Sequence, residues 1–190
     1  MENLLTFFQK TTSLSEKTIG LMGDFFVFDE LKKGEYFIRK GQFAKEIAFL
    51  ESGIVRAYYV DKNGKEYNKH FFSPSSIIGS YASLISKQQN KVAQQALTDC
   101  KIWKVSYAKI EELSAVNHEI ERLRRVIAEN FFLSHEKKEL EMALLDADKR
   151  YLIFREEFPG IELKIPQYQV ASYLGISATQ LSRIRKKLYQ

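Results

Sequence analysis

Residues 166–188 constrain the fold most. Pro166 opens a stretch in which Val170, Ala171 and Leu174 recur at helical spacing, Gly175 follows at once, and a second periodic run starts two residues later. Proline is tolerated at the first helical position, where the N–H it lacks has no intrahelical partner. The 170/171/174 spacing gives this first helix one apolar face. Gly175 supplies a left-handed residue that ends it without a Cβ penalty. Ile176 plugs the turn, and Ser177 with Gln180 forms an S-x-x-Q capping box for a second helix. Leu181, Ile184 and Leu188 turn one stripe of that helix inward and leave Ala178, Thr179, Ser182, Arg183 and Lys186 outside. Small, hydroxyl and guanidinium side chains on the exposed N-terminal half of such a helix suit base edges in a major groove, so the segment reads as a helix-turn-helix. A surface helical hairpin with a solvated basic end would explain the charge. It would not explain the joint presence of small residue, turn glycine, cap and basic face.

The charge is distributed accordingly. Residues 149–190 carry eight Lys/Arg and three Asp/Glu, an excess of five that equals the formal charge of the whole 190-residue chain. A polyanion such as double-stranded DNA is the expected partner of that end. The start, Met1-Glu2-Asn3-Leu4-Leu5, lacks the basic flank of a signal peptide, and no apolar run approaches a membrane span, so a cytoplasmic protein without a membrane partner is expected. The single cysteine, Cys100, excludes an internal disulfide, fits a reducing compartment, and reads as a small buried hydrophobe in a strand. One thiol is too few for an iron–sulfur cluster. His70, His118 and His135 are scattered along the sequence and read as ordinary surface or core groups, with no metal or haem site expected. The pairs Glu111-Glu112 and Glu156-Glu157 read as solvated helix faces, because adjacent helical residues do not face one another. No nucleophile–base pair or phosphate loop occurs at a working spacing, so no catalytic residue is assigned and the chain is not expected to be an enzyme.

Ahead of the basic end the punctuation is of the β type. Gly34, Gly41, Gly53 and Gly64 divide runs rich in Tyr, Phe, Ile and Val between Val27 and Val105, the pattern of a sandwich or barrel. The clearest hairpin joins Ile54–Val60 to Lys65–Phe72 through Asn63-Gly64, and further strands are expected over Glu35–Ile38, Glu46–Glu51, Lys91–Thr98 and Lys101–Val105. Before Val27, Leu4, Leu5, Phe7 and Phe8 and later Ile19, Met22 and Phe26 form helical patterns. From Asn117 to Asp146 there is neither glycine nor proline, and Ile120, Leu123, Ile127, Phe131 and Ser134 keep a three/four spacing. This is a long helix whose stripe either packs on its own barrel or pairs with a second subunit, the latter favoured because helix-turn-helix modules commonly act on paired half-sites. Asp148–Phe158 forms another helix before the Pro159-Gly160 turn. The resulting α+β chain divides into residues 1–116, a barrel with N-terminal helices; 117–146, a long connecting and dimerisation helix; and 147–190, a helix-turn-helix domain.

This order, with Leu31-Lys32-Lys33-Gly34-Glu35, Ser52-Gly53-Ile54-Val55-Arg56, Asp61 and Gly64-Lys65-Glu66 in the barrel and Gly175-Ile176-Ser177 through Leu181-Ser182-Arg183-Ile184-Arg185-Lys186 at the end, resembles the Crp/Fnr family of bacterial transcription regulators. The resemblance implies a jelly-roll-like, double-stranded β-helix barrel of the cyclic-nucleotide-binding type. It also implies a homodimer on an inverted-repeat operator and contact with RNA polymerase. Gln167, Tyr168 and Ser177 would then approach phosphates; Ala178, Thr179, Ser182, Arg183 and Lys186 would lie toward the DNA, with Arg183 suited to a guanine edge. Relatives that bind cyclic AMP carry Gly-Glu, a short helix, then Arg-Ser or Arg-Thr. Here Gly79 is followed by Ser80, and Lys91 and Val92 stand at the Arg and Ser/Thr positions. Lysine cannot make arginine's two-pronged phosphate contact, so an effector other than cyclic AMP, or none, is expected of this pocket. A receptor signalling through protein contacts is the alternative.

Overall fold

The computed structural model describes residues 1–188. Two helices, α1 (Glu2–Thr11) and α2 (Glu16–Gly23), lead into β1 (Val27–Leu31), β2 (Tyr36–Ile38), β3 (Glu46–Ser52), β4 (Val55–Val60), β5 (Glu66–Phe72) and β6 (Ser76–Ile78). A short helix, α3 (Tyr81–Ser86), precedes β7 (Ala93–Ala96) and β8 (Cys100–Ser106), and α4 (Tyr107–Val116) leads to the long α5 (His118–Leu144). Then come α6 (Ala147–Glu157), a 3-10 turn at Ile161–Leu163, α7 (Gln167–Leu174) and α8 (Ala178–Leu188). The residues group into two compact units, 1–57 with 71–132, and 58–70 with 133–190.

Two antiparallel sheets of four strands make the barrel, in the orders β1-β8-β3-β6 and β2-β7-β4-β5. β3 shows why the fold closes. Ala48, Phe49 and Leu50 are successive and all fully buried, so both faces of this strand are covered, as a continuous apolar run requires. Phe49 packs with Leu4, Phe8, Met22 and Phe26 of the N-terminal helical region, whereas Ala48 and Leu50 join Val55, Ala57, Ile78 and Ile102 inside the barrel. Cys100 lies in that inner cluster as a buried free thiol, and burial pushes its pKa up.

The expected strands are present with ends shifted by a residue, β3 and β8 running longer, to Ser52 and over Cys100–Ser106; the run expected over 91–98 is ordered as a strand only at Ala93–Ala96. β1 and β6 were not anticipated. β6 spans three residues, too few for alternation to register, and exists because Ile77 and Ile78 pair with Phe49 and Ala48. The long-helix stripe has its other use. Ile120 and Leu123 are buried in the same cluster as Phe8 and Phe49, with Ile127 and Phe131 packed against it. These residues therefore stabilise their own subunit's core.

The second unit has a core of its own. Phe154, Phe158 and Tyr173 pack ring against ring at 5.5–5.8 Å, with Tyr151, Val170, Leu174, Leu181 and Ile184 buried around them. Fully burying each such side chain is worth about 1.5–3 kcal/mol. The Tyr151 hydroxyl donates to Glu162 Oε2 at 2.7 Å, and Arg150 donates to the Leu174 carbonyl at 3.0 Å, satisfying an end group of α7 that has no helical partner.

Candidate nucleic-acid interface

The turn between α7 and α8 follows the local chemistry of its residues. Gly175 caps α7 in the left-handed conformation (φ 69°, ψ 30°), and its N–H donates back to Ala171 and Ser172. The Ile176 N–H reaches the Ala171 carbonyl at 3.0 Å, closing the turn. Ser177 Oγ accepts from the Gln180 N–H at 3.1 Å, the capping contact expected of that pair. Pro166 stands one residue earlier than expected, as the N-cap, with α7 beginning at Gln167. Its ψ of 142° is not helical, and residue 166 hands its carbonyl to the first turn instead (Gln169 N–H, 3.0 Å).

Leu181 and Ile184 bury one face of α8 at 1% and 5% exposure. Leu188, expected in the same stripe, is 37% exposed. Gln167, Tyr168, Ser177, Ala178, Thr179, Ser182, Arg183 and Lys186 are all exposed. Tyr168 is 60% exposed, far more than a core tyrosine would be. Of the basic run at the end of α8, Lys187 is held by Asp148 at 2.7 Å, whereas Arg183 and Lys186 have no ion pair among the described residues. The positive side chains in the last turn also complement the helix dipole.

The barrel cassette is built from uncharged groups. Gly79 has φ 146°, and a Cβ there would come within 3.0 Å of Ile47 Cγ2, so β6 must run close to β3. Ser80 Oγ donates to Asn90 Oδ1 at 2.7 Å. Asn90 is 3% exposed; its amide donates to the carbonyls of Val92 and Arg39, its N–H to Gln42 and its carbonyl accepts from Gly41. Gln94, also buried, donates to the Gly79 carbonyl at 3.0 Å and leaves its own carbonyl oxygen unpaired. Lys91 is exposed and Val92 packs against the barrel core. Gly79 and Ser80 are therefore joined by Asn90 and Gln94, not by Lys91. The sequence offered no signal for Asn90, since a lone asparagine in a Gln/Asn/Lys run looks like loop. Ser80, expected at the ribose-binding position, is already engaged by Asn90.

Among the histidines, 65 residues of separation conceal a relation: His70 and His135 lie near enough to feel each other's charge. Burial, first, and His135, second, hold the His70 pKa down at about 4. Burial likewise lowers that of His135.

Residues 28–117 match the cyclic nucleotide-binding domain family. Across most of the chain the similarity is to bacterial regulators. It is 23% identical over 171 residues to the transcriptional activator protein FnrA of Stutzerimonas stutzeri, covering 84% of this chain and 69% of that one. It is 26% identical over 162 residues to the cAMP-activated global transcriptional regulator CRP of Salmonella typhimurium, covering 80% and 77%. Among solved structures, FixK2 from Bradyrhizobium japonicum superposes with a TM-score of 0.77 at 18% identity, covering 86% of this chain and 84% of that one. A Crp/Fnr-family regulator from Eubacterium rectale gives 0.75 at 19%, covering 97% and 88%. A cyclic-nucleotide-binding-type barrel, a long helix and a capped helix-turn-helix occur here in that order, and over most of its length the chain is similar to transcription regulators of the Crp/Fnr family.

Proposed function

We propose that this protein is a sequence-specific DNA-binding transcriptional regulator that acts as a homodimer on an inverted repeat and answers to an effector other than cyclic AMP. The observation that carries the reading is the face of α8. Ala178, Thr179, Ser182, Arg183 and Lys186 are exposed together on a helix fixed by the Ser177 cap and by buried Leu181 and Ile184. The N-terminal half of a recognition helix meets base edges, so Arg183 is assigned to a guanine and Gln167, Tyr168 and Ser177 to phosphates.

Dimerisation is supported by the residues of α5 that the barrel leaves uncovered. Leu133, Leu140 and Leu144 are 59%, 54% and 75% exposed and, with Lys137, keep the four/three spacing of a coiled-coil seam. Two such helices side by side would set the recognition helices about 34 Å apart, one turn of DNA. The neutral Gly79–Ser80–Asn90 cassette supports the exclusion of cyclic AMP, whose phosphate and ribose need a cation and a free acceptor.

The test is selection from a pool of randomised duplex DNA, followed by binding of the enriched site across a salt series. An enriched inverted repeat bound by a dimer, with an affinity falling steeply as salt rises, is expected. Indifference to duplex DNA at low salt refutes the reading, and micromolar cyclic AMP binding by calorimetry refutes its effector clause.

A further inference from the structure

Lys91, which the barrel cassette does not use, belongs to a different surface. Two loops meet there. The Gly41 N–H donates to the Asn90 carbonyl and the Asn90 N–H to the Gln42 carbonyl, both at 2.7 Å, and the Asn90 side-chain amide reaches the Arg39 carbonyl at 3.2 Å. Ala44 donates its N–H to Ser83 Oγ at 3.1 Å, so residues 39–45 are also fastened to α3. Phe43, beside that bond, is 56% exposed. Tyr81 and Ile85, one turn apart on the outer side of α3, are 45% and 52% exposed, while Ser83 and Leu84 take the inner side. Single exposed apolar side chains are ordinary. Three around one hydrogen bond, on a fixed support, are what an interaction site presents.

The charge around them has one sign. Residues 39–45 and 81–91 hold Arg39, Lys40, Lys45, Lys87 and Lys91 and no Asp or Glu, with Glu46 the acid that borders them at the start of β3. All five cations are exposed. Lys87 lies 3.6 Å from Glu111, and Arg39 stacks at 3.7 Å on the Tyr36 ring. Lys40, Lys45 and Lys91 have no ion pair among the described residues. The counterpart must therefore bring carboxylates for the rim and apolar side chains for the centre. Duplex DNA supplies anions, but its phosphate backbone has no apolar surface to cover Phe43 and Ile85. Membrane surfaces are bound by helices with a long apolar stripe, whereas α3 has six residues, two of them turned inward. A short acidic protein segment with apolar anchors meets both demands, and the bonded loops need little ordering to receive it.

We propose that the 39–45 loop and α3 form a docking surface for an acidic, amphipathic protein segment, with Phe43, Tyr81 and Ile85 seating its apolar side chains and Lys40, Lys45 and Lys91 its carboxylates. The surface is independent of DNA binding and is tested without DNA. Random peptides displayed on phage are selected on the full-length protein after depletion on the Phe43→Ser/Ile85→Ser double variant; both positions are exposed, and equal urea midpoints show that the variant is folded. Enrichment of peptides that carry several Asp or Glu residues together with Leu, Ile or Phe is expected. Their affinity should fall at least about tenfold in Lys91→Glu, decline as salt rises, and return when a peptide carboxylate is exchanged for lysine. No peptide left after depletion, enriched peptides without acidic residues, or wild-type affinity in Lys91→Glu each overturns the proposal. Binding of phosphatidylserine vesicles or random duplex that the double variant loses, with no peptide enriched, also overturns it and assigns the patch to that surface.

Discussion

Gly53 joins β3 to β4 with φ 98°, and a Cβ built there would lie 2.5 Å from the Asp99 carbonyl oxygen, 2.5 Å from Cys100 Sγ and 2.8 Å from Cys100 Cα. Gly64, in the hairpin turn, has a comparable φ of 81° but open space around its Cβ position. The two alanine variants separate backbone strain from steric exclusion. Both incur the left-handed penalty of about 1–2 kcal/mol. Gly53→Ala adds overpacking of about 1–3 kcal/mol, because two of the three atoms it meets are main chain. These cannot move easily: the Asp99 carboxylate holds the Lys33 N–H at 2.8 Å, and Cys100 is paired with Leu31 in the sheet. The total for Gly53→Ala is about 2–5 kcal/mol. Urea denaturation followed by tryptophan fluorescence reads this directly, since Trp103 on β8 is the only tryptophan and pairs with Phe49 of β3. With a slope of roughly 2 kcal/mol per molar, Gly53→Ala should unfold about 0.5–1.5 M below Gly64→Ala. Midpoints for the two variants that coincide would refute the argument that close approach, rather than dihedral preference alone, reserves position 53 for glycine.

Arg183→Ala should relax preference at one base pair of the operator at a cost of about 1–3 kcal/mol; equal losses on operator and random duplex would remove its base-reading role. Within the cassette, Asn90→Ala should lower barrel stability by about 1–3 kcal/mol by orphaning buried partners, while Lys91→Ala stays within about 0.5 kcal/mol, and the reverse order in urea midpoints would contradict the assignment. Because His70 titrates at about 4 in the folded protein and near 6.5 when unfolded, folded and unfolded chains bind protons alike above pH 6.5. Stability falls as pH drops from 6.5 to 4, by at most about 3 kcal/mol from this group. His70→Phe keeps the edge contact with Phe158 and should flatten that part of the profile; an imidazole titrating above pH 6 by NMR in the wild type would refute it.

What could be read in the sequence follows the range of the forces involved. The α7–turn–α8 unit was legible because a proline, a left-handed glycine and a serine cap each act on main-chain groups within four or five residues. The periodicity of α8 likewise placed Leu181 and Ile184 inside and Arg183 outside without reference to anything distant. The Asn63-Gly64 hairpin and the uninterrupted α5 were legible for the same reason. Tertiary structure alone decided which apolar stripe of α5 the barrel would cover: periodicity shows that Ile120, Leu123, Ile127 and Phe131 share a face, but only the position of Leu4, Phe8 and Phe49 determines that this face is occupied and Leu133, Leu140 and Leu144 are left over. It likewise decided that Asn90 rather than Lys91 meets Ser80, since a one-residue shift in a loop exchanges a buried amide for a solvated ammonium. The hydrogen bonds of Asn68 with Gln169 and Ser172 join residues about a hundred positions apart. Hydrogen bonds of that separation depend on where packing brings two surfaces together, and nothing in either local sequence encodes the meeting.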